Sequence, residues 1–190
     1  MCAPDRILVV AATPRELAES HGWSTALCGV GPVDAAAAVA AAIARHRPAA
    51  ILHVGIAGAR RHALLVPPAL VIGDDALYCD LEVPERLAPK RVHPAPMLLD
   101  AARHAVPEAV VRTIGTSARV GGSTDCDVET MEGFSVLRAA ELAGVPALEV
   151  RAIANAIEER DRANWRFDEA FAAIIAVTPR LVAEFARCVP

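Results

Sequence analysis

The chain has 190 residues, of which 54% are hydrophobic and 22% charged, a length within the roughly 100–200 residues that one core can serve and a composition too apolar for a disordered polymer. Nineteen Lys+Arg against 23 Asp+Glu give a net charge of −4, which provides no overall attraction for a nucleic-acid polyanion. Only 4% is aromatic, so the apolar content is mostly Ala, Val, Leu and Ile, suited to a Val/Ile-rich sheet under close-packed, Ala-rich helices.

Ile7 to Ala12 is short, β-branched and closed by Thr13-Pro14, which predicts a buried strand ending at a loop that carries Glu16. The same run is too short for a signal segment, and no stretch reaches the roughly 20 apolar residues that span a bilayer, so the expectation is a soluble, cytoplasmic protein with no membrane partner. Cys2, Cys28, Cys79, Cys126 and Cys188 are odd in number, dispersed and never spaced C-x-x-C, which indicates a reduced compartment and neither a disulfide framework nor a zinc site. Cys28-Gly-Val-Gly-Pro32 leads into Val33 to His46, a helix by its alanines and its initiating proline, stopped at Pro48. The Gly29-x-Gly31 pair lacks the third glycine and the acidic ribose ligand of a dinucleotide fingerprint.

Ala49 to Val54 predicts a second buried strand running into a glycine-punctuated turn, Gly55-Ile-Ala-Gly58. Val66 to Asp80 reads as a strand or a bent hairpin, and Glu82 to Pro96, with four prolines, as a mobile loop. Met97 to Ala105 predicts a short helix, Val110 to Ser117 a strand, and Gly121-Gly-Ser-Thr-Asp125 a turn. Thr130 to Leu142 reads as helix, Ala147 to Ile153 as strand, and Phe167 to Val189 as a terminal helix with apolar residues at helical spacing. Strands and helices alternating without an internal repeat predict one domain over residues 1–190, a three-layer α/β/α sandwich around a central mixed, mostly parallel sheet.

No G-x-x-x-x-G-K-[ST], G-x-S-x-G or H-E-x-x-H is present, and Cys79 and Cys126 lack a recognisable partner histidine. His46, His62, His93 and His104 lie in polar surroundings that suggest solvated faces, so no metal or other cofactor is expected. Polar residues at the ends of apolar strands are more informative, because ligands bind at the C-terminal edge of an α/β sheet, where buried acids acquire shifted pKa values. Glu16 and Glu132 fit this position, and Asn155 follows the strand from Ala147. Each also has an ordinary reading, a first-turn acid favoured by the helix dipole or a cap, and position leaves both open.

In order along the chain, Ile7-Leu-Val-Val-Ala-Ala-Thr-Pro-Arg-Glu16, Cys28-Gly-Val-Gly-Pro-Val-Asp-Ala-Ala35, Ile51-Leu-His-Val-Gly-Ile-Ala-Gly58, Val128-Glu-Thr-Met-Glu-Gly133 and Leu148-Glu-Val-Arg-Ala-Ile-Ala-Asn155 resemble the purine nucleoside phosphorylase and nucleosidase superfamily. Glu149 to Asn155 followed by Arg160-Asp-Arg-Ala-Asn-Trp165 is similar to its futalosine hydrolase branch, which releases hypoxanthine from futalosine in menaquinone biosynthesis. Methylthioadenosine/S-adenosylhomocysteine nucleosidases instead end this strand in Ser-Asp.

The resemblance implies a phosphorylase/hydrolase-like fold, a purine nucleoside as substrate, water as nucleophile and a homodimer. It implies Glu16, Asn155 and Arg151 as the catalytic residues: Glu16 deprotonates water, Arg151 orients Glu16 or the water, and Asn155 donates amide hydrogens towards N7 and O6 of a 6-oxopurine. Met131 would pack under the ribose and Glu132 would accept from its hydroxyls. Ile56, Gly58, Arg119 and Val120 complete the substrate-binding set. Ile56 stands where phosphorylases commonly carry a hydroxyl for phosphate, which favours water. Ala154 replaces a serine that helps hold that water in the nucleosidases, and Arg119 replaces a base-stacking aromatic. Little chain remains between Val120 and Val128 for the usual intervening helix.

Overall fold

The computed structural model describes residues 3–122 and 126–190. The apolar run after Asp5 forms β1 (Ile7–Ala11), followed by β2 (Ser24–Leu27) and α1 (Pro32–His46). Gly31, at φ +94, turns the chain into α1 through a backbone region that side chains disfavour. Next come β3 (Ala50–Ala59), β4 (Leu70–Tyr78), β5 (Arg91–Val92), α2 (Pro96–Ala105) and β6 (Val110–Thr116). The chain continues through β7 (Val128–Thr130), α3 (Gly133–Leu142) and β8 (Ala147–Ala156) to α4 (Phe167–Cys188).

Several elements differ from the reading of the sequence. The strand expected to stop at Val54 continues through Gly55–Gly58, because these glycines are hydrogen-bonded to β8 along the whole of β3. Val66 to Asp80 holds one long strand, β4, rather than a hairpin of its own, and the short β5 inside the Glu82–Pro96 loop pairs with its far end. Helix α3 starts at Gly133, since Val128–Thr130 is engaged as strand between β3 and β6. Only Gly121 and Gly122 of the turn expected over 121–125 lie within the described residues.

The sheet is mixed, with five parallel and three antiparallel pairings. It is not the open sheet of a sandwich. β3 pairs β8, β8 pairs β4, β4 pairs β6, β6 pairs β7, and β7 returns to β3, so five strands close a barrel, with β1 and β2 extending from β3. A small apolar cluster takes one or two residues from each barrel strand: Ala57 and Ala59, Val71, Ile114, Val128 and Ile153.

Two larger cores cover the outside. α4 presents Ala170, Ile174, Val177, Leu181 and Phe185 at spacings of three and four to one face, beside Leu98 and Ala102 of α2. α1 and α3 bury Ala35, Val39, Val136, Leu137 and Ala140 on the other. Each large aliphatic or aromatic side chain taken fully out of water contributes about 1.5–3 kcal/mol. Among the described residues no helix is long and apolar enough to cross a membrane.

Candidate active site

β1, β3 and β8 run parallel, so their C-terminal ends open on one edge. A cavity of about 240 Å3 lies there, and its wall includes Glu16, Ile56, Gly58, Val120, Met131, Glu132 and Asn155. Thr13, Glu129, Arg162, Trp165, Phe167 and Phe171 also line it. Two of the residues picked from the sequence lie elsewhere. Arg119 is exposed and absent from the wall, so Val120 is the residue of that segment that faces the cavity. Arg151 is 0% exposed and sits in the protein behind the cavity.

Glu16 is placed by a short 3-10 turn, Pro14–Glu16, that follows β1. Its Oε2 accepts from the Thr13 backbone N–H at 2.7 Å and the Thr13 hydroxyl at 2.9 Å, and Oε1 accepts from the Ile56 N–H at 3.3 Å. The carboxylate therefore bridges the loop after β1 and the backbone of β3. Glu132 precedes α3, and its Oε1 accepts from the Gly31 N–H at 3.1 Å. Burial pushes the Glu132 carboxyl above the ordinary carboxylate range, Arg151 opposes the rise, and Glu16 and Glu149 add to it. The Cys28 thiol is pushed up to about 12, chiefly by burial, which leaves it protonated and unreactive.

Asn155 reaches the cavity through an irregularity in the β3–β8 register. Ala57 is level with Ile153 and Gly58 with Asn155, so one extra residue, Ala154, is accommodated in β8. The Ala154 methyl packs into the apolar core beneath α4, not into the cavity wall. The Asn155 amide lies against Gly58, and its Nδ2 donates to the Ala156 carbonyl at 2.9 Å. One amide hydrogen and Oδ1 remain for a ligand.

Behind the cavity, Arg151 Nε donates to Glu149 Oε1 at 2.7 Å, and Nη2 lies 2.9 Å from a ring nitrogen of His53 and 3.9 Å from Glu132 Oε2. A Cβ on Gly55 would stand 2.0 Å from Arg151 Nη1 and 2.8 Å from Glu16 Oε1; glycine is what lets the guanidinium and the carboxylate approach β3 together. Burial, reinforced by Arg151, holds the His53 imidazole well below its ordinary pKa, so the ring is neutral and can accept the guanidinium hydrogen. For Arg151, burial alone would lower the pKa, but Glu149, Glu132 and Glu16 outweigh it and hold it above the usual value. Glu149 and His53 were not singled out from the sequence. Their signal was an ionisable residue in the middle of an otherwise apolar strand, Leu148-Glu-Val and Leu52-His-Val.

The arrangement provides a hydrogen-bonded carboxylate, a second carboxylate whose proton affinity burial raises, an amide with both donor and acceptor capacity, and apolar walls. Among the described residues no cluster of His, Cys, Asp and Glu is arranged to hold a metal ion.

A family model described as the phosphorylase superfamily matches residues 17–188. A futalosine hydrolase of Streptomyces coelicolor is 35% identical over 185 residues, covering 84% of this chain and 78% of that protein. A futalosine hydrolase of Thermus thermophilus is 30% identical over 181 residues, covering 82% and 79%. Among solved structures, the 5′-methylthioadenosine/S-adenosylhomocysteine nucleosidase of Colwellia psychrerythraea in complex with adenine superposes with a TM-score of 0.82 at 16% identity, covering 94% of each chain. The futalosine hydrolase of Helicobacter pylori gives a TM-score of 0.80 at 15% identity, covering 94% of this chain and 97% of that one.

Proposed function

The chain belongs to the phosphorylase superfamily, and we propose that it is a phosphate-independent nucleosidase that hydrolyses futalosine to hypoxanthine and dehypoxanthine futalosine. The observation that carries this reading is the convergence of Glu16, Glu132 and Asn155 on one cavity in a chain 35% identical to a futalosine hydrolase.

Breaking an N-glycosidic bond develops positive charge on the ribose and negative charge on the departing purine, and the site must stabilise both. Met131 and Glu132 receive the sugar, with Glu132 accepting from its hydroxyls and favouring the cationic ring. Glu16 takes a proton from the attacking water. With one Asn155 hydrogen given to Ala156 O, the amide offers one donor and one acceptor rather than the two donors anticipated from the sequence. That pair matches O6 and N7 of a leaving 6-oxopurine once N7 has taken a proton from solvent, which balances the one that water gives to Glu16, whereas a 6-amino group would set a hydrogen against the amide N–H.

Ile56 brings no hydroxyl to the cavity, which supports water over phosphate as the nucleophile. Incubation with futalosine, inosine and methylthioadenosine, each with and without phosphate, is expected to give hypoxanthine from futalosine at a rate independent of phosphate. Chromatographic detection of ribose 1-phosphate products or of strict phosphate dependence would identify a phosphorylase instead, and purine binding without any turnover a non-catalytic relative.

The protein acts as a homodimer in this reading, supported by the apolar residues Val30 and Val33, 56% and 79% exposed, with Val30 on the cavity rim. Sedimentation at assay concentration is expected to give twice the monomer mass; a monomer would remove this part of the proposal.

A further inference from the structure

Three carboxylates, Glu16, Glu132 and Glu149, surround a single cation, Arg151, in the region behind and beside the cavity. The mechanism above uses two of the carboxylates. The third, Glu149, is 1% exposed and does not line the cavity.

We infer that Glu149 is a positioning residue for the nucleosidase reaction: it holds the Arg151 guanidinium through Nε and absorbs its charge, so that Glu16 and Glu132 present net negative charge to the ribose. The inference rests on the nucleosidase reading for its reaction, but the geometry stands apart from it.

The fit around Glu149 leaves it little freedom. Its Oε1 is 2.7 Å from Arg151 Nε, and a Cβ on Gly133 would come within 2.2 Å of Oε2. Gly133 is the first residue of α3, so the carboxylate packs against the start of a helix of ten residues. Among the described residues Oε2 has no hydrogen-bond partner, and it faces this helix end.

His53, on β3 and level with Glu149 in register, fills the remaining guanidinium edge at Nη2. Because it is neutral, it orients Arg151 without adding charge. The groups facing Arg151 are thus Glu149 from β8, His53 from β3, Glu16 from the turn after β1, and Glu132 from the start of α3, with the Cys28 thiol protonated nearby.

If Glu149 were uncharged, the guanidinium charge would fall on Glu132 and Glu16 alone. The cluster would pass from two net negative charges to one, and less negative potential would face the developing ribosyl cation. Glu149 raises the proton affinity of Glu132, so removing its charge lowers that affinity, and the acidic limb of the kcat/KM profile moves to lower pH.

Glu149→Gln tests this, since the Gln oxygen can still accept from Arg151 Nε and keep the geometry. The expected result is a kcat on futalosine lower by about tenfold, a fraction of what positioned acid–base groups contribute, with KM nearly unchanged. The acidic limb is expected to move to lower pH, because the negative charge of Glu149 is one of the causes that raise the Glu132 carboxyl. Glu149→Asp keeps the charge but shortens the reach, so its limb stays at the wild-type pH while kcat falls.

A Gln variant with wild-type kcat and wild-type pH profile overturns the inference, as does an Asp variant whose limb shifts like that of Gln. If the Gln variant does not fold, a wild-type kcat in Glu149→Asp overturns it. Wild-type protein that cleaves no nucleoside would defeat the nucleosidase reading. The charge assignment is then still read from the Glu132 carboxyl carbon by NMR in ligand-free protein, where an unchanged titration in Glu149→Gln overturns it.

Discussion

Glu16→Gln is expected to lower kcat on futalosine by about 10²–10⁴-fold, the contribution typical of a positioned general base, while nucleoside binding stays close to that of the wild type. The side chain is held by three donors from two segments, the Thr13 N–H and hydroxyl on Oε2 and the Ile56 N–H on Oε1. A Gln oxygen placed towards Thr13 keeps the two shorter bonds, and the amide nitrogen then meets only the longer one, from Ile56. The turn Pro14–Glu16 and the cavity wall are therefore preserved, and folding is little affected.

What the amide cannot do is accept the proton of the attacking water, because its nitrogen has no available lone pair and its carbonyl is a very weak base. The loss should appear in the chemical step. Single-turnover release of hypoxanthine from the saturated enzyme measures it, and calorimetric titration with hypoxanthine measures binding. Turnover near the wild-type rate would remove Glu16 from the base role; loss of binding in step with turnover would make it a structural residue.

Much of the layered plan was legible because it rests on composition over long windows. The alanines of Val33 to His46 and the spaced apolar residues of Phe167 to Val189 specify α1 and α4 almost residue for residue. The closure of the barrel was not legible, because it depends on β7, three residues whose pairing with Gly58 and Ala59 of β3 leaves no periodicity to read. Pairing with β8 is what keeps Gly55–Gly58 in a strand: glycines in sequence suggest a turn, but here they serve the close approach of Arg151 and Glu16 at Gly55 and of Asn155 at Gly58.

In the site, Glu16 and Glu132 follow the ends of β1 and β7, and Asn155 is the last residue but one of β8, places where a polar residue attracts notice. Glu149 and His53 lie inside strands that are otherwise apolar, and their partner Arg151 is 98 residues from His53 along the chain. Only the parallel register of β3 and β8 brings them together. Arg119 is exposed and off the cavity wall: a position inferred by likeness to an aromatic does not ensure that a longer, charged side chain turns inward, since its guanidinium gains solvation outside.

Asn155→Asp is expected to reduce hypoxanthine release by on the order of 10²-fold, the scale of a lost polar recognition in a shaped pocket, and to raise the relative rate on methylthioadenosine. The wild-type amide has one hydrogen on Ala156 O and presents the other, with Oδ1, to the ligand. For hypoxanthine these meet O6 and the hydrogen on N7. An aspartate ionised at this position has acceptors only; it repels O6 and loses the bond to Ala156 O as well.

Protonated, the aspartate can give its single hydrogen to N7, and its other oxygen then suits the amino group of adenine and not the oxygen of hypoxanthine. Burial favours that protonated form, so the adenine reaction of the variant should improve as the pH falls, while hypoxanthine release should not recover. Competition between futalosine and methylthioadenosine in one vessel, followed by chromatography of both bases at several pH values, reads the ratio directly. An unchanged ratio would mean that Asn155 does not read the 6-substituent, and that the preference is set by the substituent at the 5′ end of the sugar.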